Sequence, residues 1–372
     1  HPVSYTGKRV GVLGVGSTGI QIVQEIGPQC GELFVLHRTA SFTMPMRNHA
    51  LEPEYVAEVK RHYPALREAA RMSPNGGLRP ASTRAFFSVS PAERQSLLED
   101  AWRHGGLAML GTFSDLLTNA EANEHVAEFI RGKIREVVAD PATAEALTPR
   151  GYPVFARRPC LDSSYYQTYN LPHVHVVDCN ADTIVEFTEK GVRMAQAGEI
   201  ELDMLILATG YDGLTGALLS FDVVGRGGRT VNQKWADGAC SYLGLMMEGF
   251  PNLFMTTGPN GPAALANIVR ISENDVDWIA ALITHMDRHG LGAVEPTAQA
   301  EEAWMDIVHN LAKRTLVSQA KTWYVGANVS GKPRGLTLFT GGFPKYREYC
   351  NAVIANGWRE LHFERHAAAV EA

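Results

Sequence analysis

The glycines at 14, 16 and 19 and the arginine–threonine pair at 38 and 39 carry the most legible chemistry in this chain. Gly14-Val15-Gly16-Ser17-Thr18-Gly19 is a G-x-G-x-x-G turn. Its glycines permit a tight turn, approach of backbone to a pyrophosphate and close helix–strand packing, and the first helical amides then face the phosphates. Residues 8–13 read as a short buried strand, 20–26 as the helix that follows and 33–37 as a second strand, which completes a βαβ unit. The second strand ends in His37-Arg38-Thr39, roughly 20 residues on, where an NAD enzyme places an Asp or Glu for the ribose hydroxyls. A guanidinium and a hydroxyl at that point suit a 2′-phosphate, so NADP(H) is the expected ligand.

A second stretch, residues 201–212 with the sequence ELDMLILATGYD, reads as a buried strand ending in Ala208-Thr209-Gly210. A strand end of this kind lets backbone approach a bound dinucleotide or flavin.

These two motifs need a framework, and the bulk composition describes an ordinary globular one. The 372 residues suffice for two or three domains, with 45% hydrophobic and 20% charged residues. A net charge of −6 and the lack of any Lys/Arg-rich block argue against nucleic-acid binding. No apolar run reaches transmembrane length and nothing resembles a signal peptide, so no membrane association and a cytoplasmic location are expected. Five scattered cysteines without a C-x-x-C pair indicate free thiols in a reducing compartment. Among 13 histidines His285 and His289 stand at helical spacing but lack the Glu of an H-E-x-x-H motif, and no metal is expected.

The elements expected along the chain follow from periodicity. From about 51 to 150 the pattern is helical: Tyr55, Val56, Val59, Tyr63, Leu66 and Ala70 form one stripe, and Val126, Phe129, Ile130, Ile134, Val137 and Val138 another. Ser90-Pro91-Ala92-Glu93 reads as a capping box, Asp140-Pro141 as a helix start, and residues 72–81 as a loop. Strands are expected at 173–177, at 183–187 paired with 191–195 as a hairpin, and at 201–208. Long helices are expected near 272–289, closed by Gly290, near 297–316 and around 346–356. The fold class is α/β, with residues 1–44 and 155–200 as an NADPH-binding Rossmann domain, 45–154 as a helical insertion and 201–372 as a further domain. The chain opens on His1 almost directly at the first nucleotide-binding strand, which reads as a cut edge.

The segments GVLGVGSTGIQ, HRT, ATGYDGLTGAL, YLGL, GFPNLFM, GPNGPAALAN and TWYVGANVSGKPR, in this order, resemble the Baeyer–Villiger monooxygenases, class B flavoproteins with two dinucleotide-binding domains. The similarity is greatest to the phenylacetone and steroid branch, with cyclohexanone-type enzymes next, and runs from residue 1 to about residue 362. The resemblance implies FAD and NADP(H) as cofactors, O2 and a small-molecule ketone as substrates, and an ester or lactone as product, formed through a C4a-peroxyflavin. Residues 201–372 then become the C-terminal portion of the FAD domain. Its first segment, with its own G-x-G-x-x-G, is expected to lie before His1, in about 150–180 further residues on domain-size grounds. The readings set beside this one are an N- or S-oxygenating flavin monooxygenase and an NADP-binding fragment without activity of its own.

By the same resemblance Gly14, Gly16, Ser17, Thr18, Gly19 and Gln21 line the NADPH pyrophosphate, and Arg38 and Thr39 hold the 2′-phosphate. Arg158 is the catalytic arginine. Arg157 replaces a more usual Lys beside it and contacts the nicotinamide nucleotide. Trp323, the second residue assigned to catalysis, packs on the cofactor, Thr209 and Gly210 approach it, and residues 260–268 border the flavin ring with Ile268 in contact. An arginine suits the catalytic role because it is permanently cationic and presents several donors to a developing oxyanion. Two departures stand out: Ser330 replaces a Pro in the GANVSGKPR loop, which loosens it, and Ala263, Ala264 and Ala266 are small for a substrate border.

Overall fold

A computed structural model of the chain describes residues 3–78, 82–263, 265–327 and 329–366. The chain divides into two compact units, one of His1–Ala50 with Ser82–Tyr211 and the other of Leu51–Ala81 with Asp212–Ala372.

The first unit is built on strand β1 (Arg9–Leu13), helix α1 (Ser17–Ile26) and strand β2 (Glu32–His37). Strand β3 (Thr43–Pro45) follows. Helices α2 (Pro53–Arg61) and α3 (Tyr63–Arg71) then belong to the second unit, after which α4 (Pro91–His104), α5 (Ala120–Val137) and α6 (Pro141–Ala146) return to the first. The unit is completed by β4 (Cys160–Asp162), α7 (Tyr165–Thr168), β5 (Val174–Asp178), the three-stranded antiparallel sheet of β6 (Ile184–Phe187), β7 (Gly191–Met194) and β8 (Gly198–Glu201), and β9 (Met204–Leu207).

The central sheet has the order β5-β2-β1-β9 and is parallel throughout, with Val12 opposite Val35 on one side and Ile206 on the other. The two central strands, β1 and β2, are largely buried, as expected of parallel strands covered on both faces. Val10, Val12, Ile20, Val23, Leu33 and Val35 are buried together in one core. Since α1 carries the chain from β1 to β2 while β9 lies on the other side of β1, the strand order reverses at the C-terminal ends of β1 and β9. Ligands of open α/β sheets bind at such a point.

Caps account for the helix ends. Asn119 accepts from Glu121 and Ala122 amides at the start of α5, and Asp140 accepts from Thr143 N at 2.7 Å to start α6. Ser90 accepts from Glu93 N, but the reciprocal half of the expected capping box is missing because the Glu93 carboxylate pairs with Arg84 at 2.7 Å.

The second unit continues through α8 (Gly216–Leu219), α9 (Val231–Lys234), α10 (Ile268–His289), β10 (Leu291–Pro296), α11 (Ala298–Ala312), α12 (Phe343–Ala355) and β11 (Leu361–Arg365). Trp278, Trp304, Phe339, Tyr346 and Trp358 dominate its core. Gly290 closes α10 in the left-handed conformation that glycine adopts without penalty. Asn267 caps the start of α10 through Val269 and Arg270 amides, four residues before the start expected from periodicity.

Several expectations shift. The stripe from Tyr55 to Ala70 is broken at His62, because Pro64 has no amide to donate and constrains Tyr63 before it. It is also not a core face: Tyr55 and Tyr63 are 56% and 51% exposed, and only Ala70 is buried. Residues 51–81 form part of the second unit, where Arg67 pairs with Glu273 of α10 at 2.6 Å. The nucleotide sheet extends to Leu207, past residue 200 where the sequence reading ends it, since β9 is hydrogen-bonded to β1. The rings of His285 and His289 lie 4.2 Å apart in a tilted arrangement, and the His285 ring also lies 6.0 Å from that of Trp358. Among the described residues no helix is long and apolar enough to cross a membrane. All five cysteines are free.

Candidate functional site

In the first unit the glycine turn is shaped by backbone, not by side chains. Gly14 has φ +107°, a conformation L side chains rarely adopt, and a Cβ there would lie 2.5 Å from the Ala208 carbonyl oxygen. A Cβ at Gly19 would lie 1.9 Å from the Gly14 carbonyl oxygen. These two glycines let β1, α1 and β9 close on one another. Gly16 differs. Its φ of −76° is ordinary, it is exposed, and a Cβ there meets nothing within 4 Å. Neither backbone conformation nor protein packing demands glycine at 16, whereas a ligand lying against the turn would.

The start of α1 fits an anion by the same criterion. No side chain caps it and its first turn carries no acid, so its amides are available to phosphate oxygens. Ser17, Thr18 and Gln21 are exposed along this edge.

The neighbouring segments are tied to the turn within the same unit. Ser41 donates to the Val15 carbonyl at 2.7 Å, which fixes the chain just after Arg38-Thr39 against the turn. Tyr152 donates to the Ala40 carbonyl at 2.8 Å and accepts from Phe42 N, and the Arg157 guanidinium lies 4.3 Å from the centre of its ring. Burial pushes the Tyr152 hydroxyl up to about 12, so it remains a neutral donor. Cys160 Sγ is 3.5 Å from Ser17 Oγ and 3.9 Å from the Arg158 carbonyl oxygen, which brings the Arg157-Arg158 segment beside the first turn of α1. Arg38 and Arg158 are exposed, Thr39 and Arg157 half-buried, and Thr209 and Gly210 exposed just beyond β9. The unit thus gathers every residue predicted from Gly14 to Gly210 at the C-terminal edge of one sheet or on segments bonded to it.

Sequence reasoning missed His37 there. It is 4% exposed, burial holds its imidazole below the usual range against the pull of Asp178, and neither ring nitrogen has a partner among the described residues. A histidine at a strand end gives no sign in sequence that it will be enclosed.

In the second unit Trp323 lies on a short 3-10 turn capped by Thr322, which accepts from Tyr324 N at 3.1 Å. Its ring covers the backbone at Gly213, where a Cβ would approach it to 3.0 Å. Lys332 of the GANVSGKPR loop is ion-paired with Asp212. This loop and Trp323 therefore both bear on the chain immediately after Thr209-Gly210. Asn328 of the loop lies outside the described residues.

Two interlocked turns, 241–246 and 257–261, precede Ile268. A Cβ on Gly258 would lie 2.4 Å from the Gly244 carbonyl oxygen, and Ser241 donates to the Pro259 carbonyl at 2.6 Å. Asn260 is fully buried, with φ +69°, and its Nδ2 has no partner among the described residues, which leaves a donor for a bound group. Ile268 itself is 55% exposed at the head of α10. Of the small residues in this segment Ala263 is buried and Ala266 half-buried, while Ala264 lies outside the described residues.

With this geometry in place, the comparisons with known proteins are specific. No protein-family model matches the chain. It is 38% identical over 370 residues to a Baeyer–Villiger monooxygenase of Pseudooceanicola batsensis, covering 99% of this chain and 67% of the relative. It is 37% identical over 347 residues to phenazine N-monooxygenase of Lysobacter antibioticus, covering 93% of this chain and 63% of the relative. Among solved structures, cyclohexanone monooxygenase from Rhodococcus sp. Phi1 bound to NADP+ superposes with a TM-score of 0.94 at 37% identity, over 98% of this chain and 68% of that one. The complex of OTEMO with FAD and NADP gives a TM-score of 0.93 at 34% identity, over 97% and 67%. The chain belongs to the Baeyer–Villiger monooxygenase family of flavoproteins, and it spans about two thirds of the length of these relatives.

Proposed function

We propose that this protein acts in an NADPH- and FAD-dependent Baeyer–Villiger oxidation. A ketone, O2, NADPH and a proton give an ester or lactone, NADP+ and water. The observation that carries the nucleotide half of this reading is Gly16, a glycine required neither by its backbone conformation nor by packing among the described residues, at the head of an uncapped helix. The ketone half is supported by the family and by the Arg157-Arg158 segment held beside that turn.

In this reading residues 1–44 and 155–200 with β9 form the NADPH domain, residues 82–154 are its helical insertion, and residues 212–372 are part of the FAD domain. Bound NADPH supplies a hydride and bound FAD the oxygen-activating chemistry. The chain's own residues bind, orient and stabilise. Gly14, Gly16, Ser17, Thr18, Gly19 and Gln21 receive the pyrophosphate, and Arg38 with Thr39 the 2′-phosphate. Arg157 is steadied over Tyr152 next to the nicotinamide nucleotide. Arg158 presents guanidinium donors to the ketone oxygen as negative charge builds on it. Thr209, Gly210, Trp323, Asn260 and Ile268 border the cofactors. Five free thiols support a reducing, cytoplasmic location.

Arg38→Ala tests the 2′-phosphate assignment directly. Charged hydrogen bonds are worth about 1.5–3 kcal/mol, so NADPH binds roughly 10- to 150-fold more weakly while NADH affinity is unchanged. Titration calorimetry on the 372-residue chain reads both, and an equal loss for the two nucleotides removes Arg38 from that role. The reaction itself is tested with the FAD-loaded protein and a panel of cyclic and linear ketones, following ketone-dependent NADPH oxidation together with ester formation by mass spectrometry. The N-monooxygenase relative favours one alternative. An N-oxide formed from a heteroaromatic amine, with no ester from any ketone, decides for it.

A further inference from the structure

Asp275, in the middle of α10, is the carboxylate that neither the sequence reading nor the proposed mechanism uses. It is 1% exposed. Its two oxygens are both engaged: Oδ2 accepts from Thr257 N at 2.9 Å and Oδ1 lies 2.9 Å from the Tyr346 hydroxyl of α12. The same hydroxyl is 3.0 Å from the Leu243 carbonyl oxygen. One buried acid therefore ties α10 and α12 to both interlocked turns, 241–246 and 257–261.

Those turns are held in an unusual backbone conformation. Leu243, Thr257 and Asn260 all have positive φ, at 58°, 53° and 69°, without being glycine. A non-glycine residue persists in this conformation where surrounding contacts enforce it. The Thr257 amide, the one that Asp275 receives, lies inside this strained stretch, and the stretch leads directly to Asn260 and Ile268.

We propose that Asp275 is a positioning residue of the monooxygenase site, holding the turns at 241–246 and 257–261 in place through Thr257 and Tyr346. The proposal rests on the reading of that segment as the flavin border.

The hydroxyl of Tyr346 has one hydrogen and two acceptors within reach, which makes the anchor sensitive to protonation. With the carboxylate ionised, Tyr346 donates to Asp275 and the Leu243 carbonyl goes without. With the carboxyl protonated, Asp275 donates to Tyr346, whose own hydrogen turns to Leu243, and Thr257 keeps its acceptor. The groups facing the carboxyl are Tyr346 and Cys350 from α12 and Asn274 from its own helix, with no cation among them. Burial accordingly raises the Asp275 carboxyl to about 6, against the opposing hydrogen bonds from Thr257 and Tyr346. Because the folded value lies above the unfolded one of 3.8, the folded state takes up a proton first. Stability from this site is therefore present at low pH and lost as pH rises from about 4 through 6.

An asparagine at 275 reproduces the protonated arrangement, since its oxygen accepts from Thr257 and its amide donates to Tyr346. An alanine removes both bonds. The experiment is amide hydrogen exchange on the 372-residue chain at pH 7.5 and 5, paired with turnover of the FAD-loaded protein. In Asp275→Ala, exchange over residues 255–262 rises about tenfold or more, as expected for a lost bond to a charged group. The yield of ester per NADPH falls, and NADPH affinity stays at the wild-type value. In Asp275→Asn both properties return, and the dependence of melting temperature on pH between 5 and 7 is reduced. Unchanged exchange in Asp275→Ala, a uniform rise across the whole second unit, or unchanged ester yield overturns the proposal. A wild-type protein that makes no ester from any ketone refutes the flavin-border reading instead and leaves the exchange result standing.

Discussion

Arg158→Ala leaves NADPH oxidation running and stops ester formation. The expected loss in the rate of ester formation is about 10²- to 10³-fold, the cost of removing one preorganised donor from a developing oxyanion. The selectivity of this loss follows from where Arg158 stands. Its side chain is exposed, and among the described residues of the first unit its backbone carbonyl is bound by the Cys160 thiol. Removing the guanidinium therefore breaks no packing, and the fold stays intact. Arg157 is different because its guanidinium packs on the Tyr152 ring, which is hydrogen-bonded to the Ala40–Phe42 segment. Loss of Arg157 disturbs the nucleotide pocket and weakens NADPH binding along with turnover. Anaerobic reduction of the flavin by NADPH, read by its absorbance, separates the two variants. Ester formed by Arg158→Ala at the wild-type rate takes Arg158 out of the chemistry.

The contrast between these neighbouring arginines also marks how far the sequence reaches. The βαβ unit was fully legible because each part is local: a buried strand, glycines at fixed spacing, and a strand end about 20 residues on. Of the four parallel strands, β1 and β2 read as short buried runs, β5 through its alternation, and β9 as the apolar end of a run expected over 201–208 that forms a strand of this sheet only from Met204 to Leu207. What stayed hidden depends on partners distant in sequence. The stripe from Tyr55 to Ala70 has helical period, yet its tyrosines face solvent and its segment belongs with residues 212–372, through contacts such as Arg67 with Glu273. Periodicity reports that a face exists without saying what covers it. Ser90 shows the same limit on a smaller scale, since the acid expected to complete its capping box was taken by Arg84. Asp275 was the least visible of all. It lies among charged residues on a long helix, and only the assembled unit shows that it faces two turns instead of water.

Gly16→Ala and Gly19→Ala separate the two reasons for glycine in this turn, and the expected outcomes are opposite in kind. At Gly19 the added carbon would lie 1.9 Å from the Gly14 carbonyl oxygen, so α1 must move off β1. Overpacking of this sort costs about 1–3 kcal/mol and often more against rigid backbone. Melting then falls by roughly 3–10 °C for a unit of this size, and NADPH binding is lost with it. At Gly16 the added carbon meets no protein atom and the backbone is already in a region open to alanine. Stability there stays within about 0.5 kcal/mol of the parent. The methyl group instead occupies the space against which a pyrophosphate would lie. NADPH binding falls by about tenfold or more, the worth of a charged hydrogen bond that is no longer reached. Differential scanning calorimetry and nucleotide titration on the same samples test both. Unaltered NADPH affinity in Gly16→Ala would show that this open glycine is not a phosphate contact, and the nucleotide assignment would then have to rest on Arg38 alone.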